Sequence, residues 1–370
     1  MPDLFEQTSV CGMKLRNRFV RSATWEGMAD KDGAVTDKLI DTVVALAQGE
    51  VGLIISSYSF VSREGQSSPG QVAVYDDRFN PGLRKMAAAV HEAGGKIALQ
   101  LVHGGCNADA GLAGTELVGP SAVNEGGETV CREATVADLA ASASDFARAA
   151  GRAKAAGFDA VQIHAAHGFL LSQFLTPAFN KRTDSYGGPL ENRARLLIGV
   201  VGLVRETVGP AFPILVKLNS EDFIECGLTR EESVRVSVML EKASADAIEL
   251  SGGTKGSPDR FRASRRGPSK PGEPEPYFIE AARLYKRSVS VPLMLVGGIR
   301  SYNVAEDLVR SGTADYISMS RPLICEPALV KRWREGDRRP AECVSDSACF
   351  GPASDGRGLY CVTQPGRRAE

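Results

Sequence analysis

Two of the four histidines in the chain, His164 and His167, lie three residues apart in the run Asp159-Ala-Val-Gln-Ile-His-Ala-Ala-His-Gly-Phe169, where a short apolar segment gives way to glycine. Paired imidazoles at such a point can hold a metal ion together with further ligands, or present neutral N–H donors that clamp and polarise a ligand oxygen. A zinc site, and with it a zinc-dependent barrel hydrolase, would draw on His103 as the third ligand. Against it, the chain has no His-x-His or His-Glu-x-x-His, and Lys217 would set a cation beside the metal. Ala165, Ala166 and Gly168 around the pair suit close approach of a ligand better than the filling of a core. The favoured reading is an oxygen clamp with no metal.

Other polar and glycine residues recur where short β-rich runs finish: Ser22, Ala23 and Thr24; Ser57 and Tyr58; Gln100 and His103; Lys217; Ser251 to Gly253; Gly297 and Gly298; Ser320 and Arg321. Bare backbone N–H groups at Gly297 and Gly298, with the guanidinium of Arg321 on the adjacent run, suit a phosphate group. The glycines alone would also fit a reading as tight turns. Lys217 offers a cation for a second developing negative charge, and Gln100 offers one donor and one acceptor. That combination fits the pyrimidine edge of a flavin.

The elements that must position these residues follow from the pattern. Eight β-rich runs, 18–23, 51–56, 96–101, 160–164, 214–218, 247–250, 292–296 and 315–319, alternate with amphipathic stretches at 36–49, 81–94, 135–156, 192–208, 229–244, 276–288, 302–312 and 325–335. Strict alternation predicts an α/β fold, a single (β/α)8 TIM barrel, which brings all the run ends to one rim. No Gly-x-Gly-x-x-Gly follows the first run, against an open dinucleotide-binding sheet. Residues 4–16 read as a hairpin cap on the opposite mouth. Three long segments, 103–134, 168–191 and 252–275, all follow strands and belong on the rim. The basic stretch 255–270 is either a lid that attracts an anionic ligand or a solvated loop.

The 370 residues carry a net charge of −1, which points away from nucleic acid and anionic membrane surfaces as partners. No basic leader and no membrane-length apolar run is present, so a cytoplasmic location is expected, and a homo-oligomer is compatible with the composition. Eight cysteines scattered over this length do not resemble a secreted disulfide framework, and reduced thiols are expected. The domain reading is a barrel over 1–340 and a Cys-containing tail over 341–370.

The segment from Ile163 to Pro177, continuing through Asn180 to Arg193, resembles the signature of the old yellow enzyme family of FMN-dependent NAD(P)H oxidoreductases. Asn17 to Thr24, Gln100 to His103, Val216 to Asn219, Val296 to Ile299 and Ser320 to Pro322 support it. The resemblance implies FMN as cofactor, with NADH or NADPH as reductant. It implies Ser22, Ala23 and Thr24 along the flavin, with Tyr58 expected beside them, and Gln100 and Lys217 at its pyrimidine edge. Gly297, Gly298, Ser320 and Arg321 would hold its phosphate, while His164 and His167 bind the oxygen of a small acceptor such as an enone. Four departures stand out. Phe169 occupies the place of the family's common proton-donating tyrosine, leaving Tyr58, Tyr186 or water to act, or a flavin protein without turnover. Trp25 stands where a Thr or Cys is common, and Lys217 replaces an arginine. Cys343, Cys349 and Cys361 resemble the iron–sulfur motif of larger relatives with Asp346 in place of one cysteine. The C-terminal dinucleotide domain of those relatives is not expected here.

Overall fold

Runs such as Ile214-Leu-Val-Lys-Leu-Asn219 are nearly continuous in apolar residues because a parallel sheet wrapped by helices is buried on both faces. In a computed structural model, which describes residues 2–263, 265 and 275–363, eight such runs form a closed parallel barrel. Its strands in chain order are Phe19–Arg21, Leu53–Phe60, Ile97–Val102, Ala160–Ala165, Ile214–Asn219, Ala247–Ser251, Leu293–Val296 and Tyr316–Met319, the eighth pairing with the first. All eight expected strands are present.

Alternate residues of a strand point into the barrel. At its N-terminal end these are apolar: Val20, Ile55, Ala98, Leu215, Ala247 and Met294 belong to one buried cluster with Val10, Met13 and Leu15. The last three come from an antiparallel hairpin, Thr8–Val10 with Met13–Leu15, which closes that mouth as the sequence predicts. Two residues further along the same strands the interior turns polar, at Ser22, Gln100, Gln162, Lys217, Glu249 and Ser318, all buried.

Helices Val136–Ala155 and Arg230–Lys242 begin at capping boxes, Thr135 with Asp138 and Thr229 with Glu232. Two expected helices differ. The stretch 276–288 becomes helical only at Ile279. The stretch 325–335 is interrupted before Pro327, since a residue preceding proline is disfavoured in helical geometry; short helices Arg321–Cys325 and Leu329–Arg334 flank the break.

The segment after the third strand carries three short strands, Val118–Gly119, Val123–Glu125 and Glu128–Glu133. Here the expectation of reduced thiols fails at one place: Cys106 and Cys131 form a disulfide. Spacing gave no hint of it, because the pairing depends on this segment folding back on itself. Cys11, Cys226, Cys343, Cys349 and Cys361 are free thiols, and Cys361 Sγ lies 3.6 Å from Cys325 Sγ. Part of the basic stretch 255–270, at 264 and 266–270, lies outside the described residues. The tail is tied to the barrel through the Leu359 N–H to the Glu26 carbonyl, at 2.9 Å. Among the described residues no helix is long and apolar enough to cross a membrane.

Candidate active site

The polar layer is one connected network. Gln100 Nε2 donates to Gln162 Oε1 at 2.5 Å, and Gln162 Nε2 donates to Glu249 Oε2 at 3.0 Å. Ser318 Oγ donates to Glu249 Oε1 at 2.5 Å. Lys217 Nζ lies 3.1 Å from Glu249 Oε2 and donates to Ser22 Oγ at 2.7 Å. Burial works to raise the Glu249 carboxyl, yet Lys217 and the hydrogen bonds from Ser318, Ser22 and Gln162 outweigh it and hold it below its ordinary value. The Lys217 charge is therefore matched within the barrel rather than free, a difference from the sequence expectation. Glu249 and Gln162 went unflagged in the sequence. A lone carboxylate and a lone amide inside apolar strands do not by themselves reveal that they join Lys217 and Gln100.

His164 lies two residues beyond Gln162 on the fourth strand, in register with Lys217, and its Nδ1 accepts the Ala166 N–H at 3.2 Å, which leaves Nε2 as the protonated nitrogen of a neutral ring. His167 follows with a positive φ of 62°, and Gly168 with 80°, so the backbone turns sharply in the left-handed region. Asn219 steadies that turn: its Oδ1 accepts the His167 N–H at 3.1 Å, and its Nδ2 donates to Asp222 at 2.7 Å. His167 Nε2 and Ser251 Oγ are 2.8 Å apart. The two imidazole rings meet edge to face with centroids 5.1 Å apart. Burial, then His167 and Lys217, push the His164 pKa well down; burial, then Lys217, bring His167 to about 3. Both rings are neutral at ordinary pH.

Phe169 packs its ring edge to face on His164 at 4.9 Å, and Tyr58 lies 5.6 Å from Phe169 and 6.4 Å from His164. Tyr58 thus joins the histidine side of the rim. Tyr186 is elsewhere, its ring against Phe174. Trp25 is tied by its indole N–H to the Pro69 carbonyl at 3.0 Å.

On the opposite side Gly297, Gly298, Ser320 and Arg321 line one pocket, as their sequence positions predicted, with Ser251 and Ser318 also on its wall. Gly297 and Gly298 have φ of 123° and 81°, and a Cβ at Gly298 would collide with the Tyr277 ring. Thr24 Oγ1 and Ser320 Oγ are 2.7 Å apart, joining the ends of the first and eighth strands. Arg321 Nη1 donates to the carbonyl of Ser345 at 2.9 Å and to Ser347 Oγ at 3.0 Å, so the tail helps to aim it.

His103 does not join the other histidines. Its Nδ1 accepts the Gly105 N–H at 3.1 Å, and its Nε2 lies 4.0 Å from Glu64. Cys325, Cys343, Cys349, Cys361 and Asp346 do line one small pocket beneath Arg321. Among the described residues, however, no group of three His, Cys, Asp or Glu side chains is arranged to hold a metal ion.

A family model described as the NADH:flavin oxidoreductase / NADH oxidase family matches residues 3–339. The chain is 34% identical to the NADH oxidase of Thermoanaerobacter brockii over 361 residues, covering 95% of this chain and 54% of that protein. The structure resembles a 2-naphthoyl-CoA reductase complex with a TM-score of 0.89 and 28% identity, over 98% of this chain and 57% of that one. It resembles the old yellow enzyme homologue from Zymomonas mobilis with a TM-score of 0.78 and 27% identity, over 94% and 96%. The chain spans about half the length of the first two, at 54% and 57%, and nearly all of the third. A match of this extent, on a barrel whose rim gathers these donors, makes the chain a member of the NADH:flavin oxidoreductase / NADH oxidase family, of the old yellow enzyme kind, a family of FMN-dependent proteins.

Proposed function

We propose that the C-terminal rim of the barrel binds FMN and passes reducing equivalents from NADH or NADPH to a small conjugated carbonyl acceptor held by His164 and His167. The carrying observation is that Lys217 and Gln100 belong to one buried hydrogen-bonded network, with Lys217 in register with His164 on the neighbouring strand and the Gly297, Gly298, Ser320 and Arg321 pocket alongside. This donor set suits the group: Gln100 and Lys217 offer an amide and an ammonium to a pyrimidine edge, Ser22, Ala23 and Thr24 line the ring, and Ser320, Arg321 and the Gly297–Gly298 backbone receive a phosphate. Bound FMN supplies the two-electron chemistry that no side chain of this rim can.

The chain's own part is binding and polarisation. His164, with Nδ1 satisfied by Ala166, offers its Nε2–H to the acceptor oxygen, and His167, its Nε2 engaged by Ser251 Oγ and its backbone N–H held by Asn219, offers Nδ1–H. Depressed pKa values keep both rings neutral, so a carbonyl meets two dipolar donors rather than a charged pair, and their strength as donors is constant across ordinary pH. Phe169 favours a second reading, a flavin protein without turnover, because the residue next to the clamp has no proton to give.

Purified protein should take up FMN, show flavin absorption bands, and bleach on anaerobic addition of NADH or NADPH. His164→Ala should weaken binding of a phenol to the flavin-loaded protein by about 10-fold or more, the value of one hydrogen bond to a polarised oxygen. Protein that takes up no FMN overturns the proposal; bleached protein that no enone, quinone or nitro compound reoxidises selects the second reading.

A further inference from the structure

The second strand is irregular, and the irregularity decides which of its side chains face the site. Ile54 and Ile55 pair with Ile97 and Ala98 of the third strand, but the next partner of Gln100 is Tyr58, so three residues of one strand oppose two of the other. This is a β-bulge, a device that re-aims side chains beside active sites. Ile55 faces the apolar interior. Regular alternation would therefore put Ser57 inside and Tyr58 outside. The extra residue inverts that order, and Tyr58 shares the register of Gln100, whose amide belongs to the polar layer.

From this geometry we infer that Tyr58 is the acid of the oxidative half-reaction, delivering to the acceptor's α-carbon the proton that Phe169 cannot. The inference rests on the enone-reducing reading above. Its ring lies against both His164 and Phe169, so its hydroxyl is carried by the same side of the rim that clamps the acceptor oxygen. Of the two phenols that the sequence offered for this role, Tyr186 makes its ring contact with Phe174 instead. The Tyr58 hydroxyl is 2.9 Å from Ser68 Oγ, and Ser68 is partly exposed, which gives the phenol a route to solvent. Burial pushes the phenol up to about 12, so it is held protonated between turnovers.

The balance is simple. The Tyr58 O–H bond breaks as a C–H bond forms at the α-carbon, while the hydride that the proposed flavin activity supplies forms the C–H bond at the β-carbon. The alkene is reduced by two electrons, and the phenolate regains a proton from water by way of the Ser68 hydroxyl.

The test is anaerobic stopped-flow on the FMN-loaded full chain with 2-cyclohexenone, each preparation referenced to its own rate of flavin reduction by NADH or NADPH. Tyr58→Phe should slow reoxidation about 100-fold relative to that reference, the usual contribution of a positioned acid, and should abolish the solvent deuterium isotope effect on reoxidation. Ser68→Ala should produce a smaller loss with the isotope effect retained. Phe169→Tyr placed in the Tyr58→Phe background should restore rate and isotope effect together, a rescue that a purely structural role for Tyr58 does not allow. Reoxidation of Tyr58→Phe at the wild-type ratio overturns the inference while leaving the flavin reading intact, as does reduced wild-type protein that the enone fails to reoxidise. Wild-type protein that neither takes up FMN nor is reduced overturns the functional reading itself.

Discussion

The two halves of the barrel interior stand only two residues apart along each strand and are built on opposite principles. The N-terminal half, with Val20, Ile55, Leu215 and Met294 closed off by Val10, Met13 and Leu15, is dry and apolar. The C-terminal half, from Ser22 through Gln100, Gln162, Lys217, Glu249 and Ser318, is buried to the same degree yet held by hydrogen bonds and one ion pair. Buried pairs of this kind contribute little net stability compared with apolar packing of the same volume. A fold that needed only stability would have continued the apolar half upward. In the proposed function the polar layer is explained by what it presents to a ligand at the rim, and the apolar half by the rigidity that presentation requires.

Breaking the polar half should have the largest effect. Glu249→Ala strands the Lys217 ammonium without its partner and should cost about 3–5 kcal/mol in urea unfolding. Lys217→Met combined with Glu249→Leu should cost less than Glu249→Ala alone, because no buried charge is left unpaired, while still weakening FMN uptake; equal or greater loss in the double variant would mean that the ion pair is a net source of stability. Leu215→Ala in the apolar half should cost about 3 kcal/mol by opening a cavity. At temperatures where it is folded its FMN affinity should match wild type, and a large loss of affinity would show that the two halves are not separable. Per pH unit, the smallest effect is that of titration. His167 titrates at about 3 in the fold against an ordinary 6.5, so between those values the unfolded chain binds the extra proton. Its contribution to stability is complete above 6.5 and is lost as the pH falls toward 3, by at most about 1.4 kcal/mol per pH unit. His167→Asn should flatten this slope and Leu215→Ala should leave it unchanged, as read from urea midpoints across that range.

Most of the fold was legible in the sequence because both strand faces are buried, and buried parallel strands write themselves as apolar runs such as Val51 to Ser56 and Ile214 to Leu218. The hairpin was legible for the same reason. His164, His167, Lys217, Gly297 and Arg321 were visible because they break those runs at their ends. Glu249 and Gln162 were not, since a single polar residue within a strand acquires meaning only when its register against Lys217 and Gln100 is known. The contacts that aim Arg321 come from Ser345 and Ser347 in the tail, and the Cys106–Cys131 bridge from a loop folding on itself. Such pairings are long-range, and local pattern carries no trace of them. The side on which Tyr58 falls was illegible for a different reason: alternation alone points it the wrong way.

That irregularity in the second strand behaves as a frameshift in a two-letter code of in and out. Residues before it keep their assignment, and residues after it exchange sides, while pairing with the third strand continues through Phe60. The chemistry offered at the rim is thereby set by strand pairing as much as by residue identity. The same residues paired without the extra position would set the Ser57 hydroxyl opposite Gln100 in place of the Tyr58 phenol, whereas deletion of Ser56 or Ser57 would straighten the strand and keep the phenol inside.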